Sequence, residues 1–147
     1  MDSDAFISCV GEPEDSNEVQ RLLASVGVTK KLRVPRDDIE ARVDLPKLGL
    51  SLIFEPEGAK TSRLIFTGVQ FFSDTEKGYT NFSGTLPGGI TFADTQREVH
   101  AKLGKPALTK KSLRYDAWKP EGKLLTVEYA KGSGKVAMVS FELPEED

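Results

Sequence analysis

Apolar residues along the chain fall into two rhythms, and each rhythm occurs twice. Val19, Leu22, Leu23 and Val26 recur at i, i+3, i+4 and i+7, an apolar stripe about two helical turns long. Asp15 stands before it as N-cap with Glu18 three positions on, the spacing of a capping box, and Gly27 offers a left-handed exit. The pattern predicts a helix over residues 15–26. Further on, Thr95 and Glu98 repeat the box, Phe92 is placed to pack back on the first turn, and Val99 and Leu103 form the stripe. Gly104 ends this second helix, over 95–104, and Pro106 bars its return. Both helices are too short to stand alone, so each must lie on a larger surface.

The second rhythm supplies that surface. After the first helix, "IEARVDL" places Ile39, Ala41, Val43 and Leu45 on one face, and "LSLIF" places Leu50, Leu52 and Phe54; "RLIFTGVQFF" follows. After the second helix come "SLRYDAW", "LLTVEY" (Leu125, Val127, Tyr129) and "VAMVSFEL" (Ala137, Val139, Phe141, Leu143). Alternation of period two predicts strands with one covered face and one wet face. The turns correspond as well: "PKLG" at 46–49 answers "PEG" at 120–122, and "PEGAKTS" at 56–62 answers "KGSG" at 131–134.

The expected fold class is therefore α+β: two tandem helix plus three-stranded antiparallel meander units forming one body. Pseudo-repeat 1 takes residues 1–72, a linker 73–91, and pseudo-repeat 2 residues 92–147. Each meander gives one face to its own helix, and the two sheets pack or join edge to edge. One unit of about sixty residues would be marginal by itself, and pairing two lets them share a core. That core is expected to hold Val19, Leu23, Leu52, Phe54, Phe66, Val99, Leu103, Trp118, Val127, Val139 and Phe141. The linker, "SDTEKGYTNFSGTLPGGIT", is rich in Gly, Ser and Thr yet carries Tyr79 and Phe82, and loops of that length commonly bind something.

Composition narrows the function. Charged residues at 29% and hydrophobic ones at 38% are ordinary for a folded domain and exclude a disordered chain. The net charge of −3, with no basic block, argues against nucleic acid as partner. No stretch approaches the roughly 18 apolar residues of a membrane span. The start is acidic where a secretory leader would be basic. The expectation is a cytoplasmic protein with no membrane contact.

Chemistry is sparse. His100 is the one histidine and Cys9 the one cysteine, so a nitrogen–sulfur zinc site is excluded by arithmetic. His100 follows core-facing Val99 and points outward or sideways, and no partner acid or nucleophile is placed beside it by sequence. Cys9 lies in apolar "FISCV", the setting of a buried, inert thiol. "RDDIE" and "SDTE" lack the alternating oxygens of a calcium loop, and "GTLPGGIT" lacks the Lys-Ser/Thr of a phosphate loop, so it reads as a turn. Trp118 with Tyr115 reads as core rather than as a ligand platform. No catalytic residue, metal or cofactor is expected. Residues 1–18 hold six acids and no base, and the tail "ELPEED" adds four more acids. Such ends either attract a basic partner or are simply solvated.

The stretches "NEVQRLLASVG", "LPKLGLSLIFEPEG" and "TLPGGITFADTQREVHAKLGKP", with "YDAW" and "LLTVEYAKGSGKVAMVSF", resemble two groups of proteins. One is the tandem modules of β-lactamase-inhibitor-like proteins and small outer-membrane assembly lipoproteins. The lipoprotein pattern needs an acylated N-terminal cysteine, and Cys9 lacks the basic start and apolar run before it. Over most of its length the chain more closely resembles small cytosolic immunity proteins encoded beside polymorphic or type VI secretion toxins. That resemblance implies a non-enzymatic protein that neutralises a cognate toxin by forming a stoichiometric complex. The alternative is an adaptor or chaperone that loads an effector without neutralising it. No contact residue is carried over from the resemblance. The long loop nominates Asp74, Glu76, Tyr79 and Phe82 as partner-binding, with Glu14 and Asp15 of the acidic 12–18 segment next.

Overall fold

Leu50, Leu52, Phe54, Phe66 and Phe71 are fully buried, and the strands carrying them set the architecture. The structure, a computed structural model, describes residues 2–58 and 63–144. Seven strands, β1 (Ala41–Leu45), β2 (Leu50–Pro56), β3 (Leu64–Phe72), β4 (Leu108–Lys110), β5 (Tyr115–Trp118), β6 (Leu124–Tyr129) and β7 (Val136–Glu142), form one sheet. Their order is β1-β2-β3-β7-β6-β5-β4, and each neighbouring pair is antiparallel. Three helices, α1 (Ser3–Ile7), α2 (Asn17–Ser25) and α3 (Gln96–Leu103), supply Phe6, Val19, Leu22, Leu23 and Val99 to the same core. The fold is α+β.

The expectation of two tandem units needs correcting. The last strands of the two meanders, β3 and β7, pair directly, with Val69 opposite Phe141 and Phe71 opposite Val139. This pairing removes two exposed strand edges, and the result is one continuous sheet over one core. The two parts are also unequal. The first carries two helices and three strands, and the second one helix and four strands, because β4 adds outside β5 with Leu108 opposite Ala117. Helix α1 was not foreseen either. Asp2 caps it by accepting from the Asp4 N–H, and its Phe6 sits edge-on to Phe71 (5.9 Å) and Phe82 (6.3 Å).

The predicted core is buried except for Leu103, which is half-buried beside the Pro87–Gly89 turn. Gly88 suits the turn: its φ is +67°, where glycine is favoured, and a Cβ would push on the Leu103 Cδ2 methyl 2.2 Å away. Ile39 departs from its assigned inner face and stands 80% exposed ahead of β1. The first helix is capped one residue later than expected. Ser16, in extended conformation, accepts from the Val19 N–H, which leaves Glu18 inside the first turn, where an acid suits the helix dipole. Asp15 instead pairs with Arg63 at 3.4 Å. At α3 the box is as expected, with Glu98 accepting from the Thr95 N–H and hydroxyl at 3.1 Å each. The turn at 56–62 and the last three acids of the tail lie partly or wholly outside the described residues.

Segment 73–91 is not a free linker. Thr80 donates through its N–H to Pro46 O (3.0 Å) and through its hydroxyl to Lys47 O (2.9 Å), and the Phe82 N–H donates to Phe72 O (2.9 Å). The chain crosses so close to Gly49 that a Cβ there would meet Phe82 N and Thr80 O at 2.5 Å. Gly49 is in the left-handed region (φ +69°), so the site excludes side chains twice over.

Candidate functional site

Because side chains alternate across a strand, the register sorts the sheet into two faces. Leu52, Val69, Phe141, Leu125 and Trp118 form a row on the helix-covered face. The opposite face carries the row Asp44, Ser51, Gln70, Ser140, Thr126, Ala117 and Leu108, one residue from each of the seven strands. These residues are mostly small or polar. No helix among the described residues packs on that face.

The next row runs Arg42, Ile53, Gly68, Glu142, Leu124. Gly68 leaves its middle low: a Cβ there would point onto this face, 3.1 Å from Glu142 Cβ. Here the face sinks into an open groove of about 1100 Å³. Ile53, Ile65, Leu124 and Leu143 give the groove an aliphatic floor. Glu40, Glu55, Glu57 and Glu142 line it with acid, against Lys119 and Lys123 on the β6 side. Lys123 is already engaged, donating to Val10 O at 3.2 Å. The acids are engaged too: Glu40 pairs with Arg42 and Glu57 with Arg63, at 3.7 Å each.

The residues nominated from sequence do not converge. Asp74 and Glu76 are exposed on the loop after β3, where the Asp74 N–H donates to Asn81 Oδ1 at 2.7 Å. Tyr79 lies on the open face, its ring 4.3 Å from that of Phe72 and its hydroxyl 2.8 Å from Ser51 Oγ. Phe82 has crossed to the other face and is 4% exposed, 4.7 Å from the Phe71 ring; it cannot touch a partner without opening the core. Glu14 and Asp15 sit at the far end of β3. The Glu14 N–H donates to Leu64 O (2.8 Å), and its carboxylate accepts from the Leu32 N–H (3.1 Å). Eight residue steps of β3 separate that end from the Asp74 loop, about 26 Å at strand rise.

Sequence reasoning missed one polar cluster, built on a buried carboxylate. Asp116, with no exposure, accepts from the Thr109 hydroxyl (2.6 Å), the Tyr129 hydroxyl (2.8 Å) and Gln96 Nε2 (3.1 Å). His100 Nε2 lies 2.7 Å from the same carboxylate, so the histidine does have a partner acid, which corrects the expectation. Gln96 and His100 are one helical turn apart on α3 and reach Asp116 together. Burial alone would raise the Asp116 pKa, but the bonds from Thr109, Tyr129, His100 and Gln96 outweigh it and hold the carboxyl below the usual range. Burial, then the Asp116 hydrogen bond and charge, push the Tyr129 phenol well above its ordinary value.

The cluster ties α3 to β4, β5 and β6. It contains no serine or cysteine nucleophile. Neither the groove nor the shallow depression between α1 and α2 includes His100. A legible signal existed in "YDAW": Asp116 shares its strand parity with core-facing Trp118. Cys9 is buried, and burial raises its thiol pKa. Among the described residues no group of His, Cys, Asp and Glu is arranged to hold a metal ion, and no helix is long and apolar enough to cross a membrane.

No protein-family model matches the chain, and no curated protein matches it. Among solved structures it is similar to the crystal structure of an extracellular protein containing a SCP domain from Bacillus anthracis str. Ames. The two share 10% identity at a TM-score of 0.59, over 92% of this chain and 44% of that one. The chain thus spans less than half of that protein, and at this identity the likeness is one of fold alone.

Proposed function

We propose that the chain is an immunity protein, which binds a cognate bacterial toxin in the cytoplasm and neutralises it by occupying its surface. It performs no chemistry of its own. The resemblance of the capped helices, turns and strands to immunity proteins motivates this reading. The observation that carries it is the open sheet face, on which no helix among the described residues packs and which sinks into an acid-lined groove of about 1100 Å³. A rigid, hydrogen-bonded sheet presents such a surface with little entropy left to lose on binding, the condition for tight association. The cluster on buried Asp116, with His100 half-buried at its edge, is assigned a structural role, because all its donors are directed at one carboxylate.

The complex is expected to be one-to-one, to bury on the order of 1,600 Å² and to have nanomolar or tighter affinity. The test is co-expression with the product of each flanking gene, scored first for toxicity and then for protection by this chain, followed by light scattering and calorimetry on the purified pair. Protection of the cells together with a one-to-one complex supports the proposal. A chain that neither binds nor protects against a toxic product so found refutes it.

A further inference from the structure

We infer that the free edge of β4 pairs with an extended, acidic segment of a protein partner. The inference goes beyond the inhibitor reading: the surface shares no residue with the groove, and its preference holds whatever the partner's activity. β4 closes the sheet on one side, so the outer backbone groups of Leu108–Lys110 have no neighbouring strand among the described residues. All three residues are exposed. Among the described residues three large hydrophobics are exposed, and two of them are here. Leu108 lies on the edge at 45% exposure, and Leu113 in the turn that leaves it at 59%.

Charge specifies what covers them. Lys105, Lys110, Lys111 and Arg114 fall within ten residues, all exposed, with no acid between them. Their side chains make no ion pair or hydrogen bond among the described residues. Lys102, just ahead of them, is paired with Asp94. The carboxylates nearest by register do not neutralise the group. Asp116 is buried on the helix-covered face among its own partners, and Glu128 stands on β6, one strand further in. The opposite edge of the sheet differs, since Arg42 of β1 is held by Glu40, Asp44 and Gln70.

Lysine on an edge strand guards it against pairing with its own kind. Here the same charge also selects. A second copy would bring its own four cations against these, whereas an acidic strand sets carboxylates opposite Lys110 and Lys111. Leu108 and Lys110 share the open face about 7 Å apart, the spacing at which alternate side chains of an added strand repeat.

The test uses synthetic heptapeptides that alternate threonine with either glutamate or lysine. Each is titrated, up to about 1 mM, into the isotope-labelled full chain while amide shifts are followed by NMR. The glutamate peptide is expected to shift Leu108, Thr109, Lys110 and Leu113, and the lysine peptide to shift none of them. A glutamate peptide N-methylated at its three central residues keeps its charge but loses those backbone donors, and should bind at least tenfold more weakly. Lys110→Glu/Lys111→Glu, checked for native shift dispersion, should weaken the unmethylated glutamate peptide at least tenfold. Lys110→Gln/Lys111→Gln serves if the reversed charges disturb the fold. No binding by the glutamate peptide, equal binding by the lysine or N-methylated peptide, shifts mapping elsewhere, or full retention in the folded variants overturns the inference. So does a concentration-dependent shift of β4 without peptide, which would make a second copy the occupant. Tighter binding of a single-stranded oligonucleotide at the same residues would overturn it too, by making the cations a phosphate-binding patch.

Discussion

The two faces of the sheet are made from the same strands and obey opposite rules. On the helix-covered face, Leu52, Phe54, Phe66, Val69 and Phe71 are buried without remainder, and the rings of Phe54 and Phe66 stack at 5.1 Å. On the open face, one residue along each strand, stand Thr67, Gln70, Thr126 and Glu142, all half-buried. The first face holds the protein together through removal of apolar surface from water. The second is covered in part by Tyr79, which lies over Phe72 and reaches Ser51, and is elsewhere half-buried and largely polar. Adjacent residues of one strand can thus differ by several kcal/mol in what they do for stability.

The largest contrast lies between neighbours in β3. Phe66→Ala should cost about 3–5 kcal/mol in urea unfolding, by loss of burial and creation of a cavity. Thr67→Ala, next to it on the open face, loses the hydroxyl's 3.3 Å bond to Ile53 O and should cost only about 1 kcal/mol. Comparable losses at both positions would erase the distinction between the faces.

Asp116 sharpens it from the polar side. It is an acid on the buried face, tolerated because it is fully hydrogen-bonded. Asp116→Ala should cost about 1–3 kcal/mol, chiefly because it leaves the buried Tyr129 hydroxyl without its acceptor. The pH dependence has a definite sign. The carboxyls of Asp116 and Asp94 titrate lower in the folded chain than in the unfolded one. For Asp94, burial opposes the shift, and the Lys102 and Thr91 bonds overcome it. The unfolded chain therefore binds more protons as pH falls through the ordinary carboxylate range near about 4, and folded stability declines there. Unfolding midpoints between pH 7 and 3 should show a shallower decline in Asp116→Asn than in wild type. Identical slopes would remove Asp116 from the linkage.

A comparable effect is expected at Gly49, where the 73–91 segment passes from one face to the other. Gly49→Ala should cost about 2 kcal/mol through the left-handed φ and the collision with the Thr80 and Phe82 backbone. A neutral substitution would mean that the segment is not pinned there.

Much of this organisation was legible in the order of residues. Period-two alternation located the strands other than β4, and the stripes at Val19–Val26 and Val99–Leu103 located α2 and α3 but not α1. Local patterns carry no information about which strands become neighbours, however, so the pairing of β3 with β7 that merges the halves was not visible. Nor was the groove, because Glu55 and Glu142 lie far apart in sequence and meet only through that pairing. The capping shift from Asp15 to Ser16 came from two adjacent residues with equal capping chemistry. The 73–91 segment misled for another reason. Its glycines and threonines look like those of a free loop, and only its hydrogen bonds to 46–49 and the burial of Phe82 reveal a strap.

The claim that the open face is the binding surface is tested most directly by calorimetric titration into Thr67→Arg of whichever toxin the co-expression experiment identifies. Thr67 is a groove-lining, half-buried residue, and the long cationic side chain introduced there would occupy the groove itself. Wild type should bind one-to-one with nanomolar affinity, and Thr67→Arg, folded to the same urea midpoint within about 1 kcal/mol, at least a hundredfold more weakly. Unchanged affinity in that folded variant would contradict the claim and move the interface off the open face.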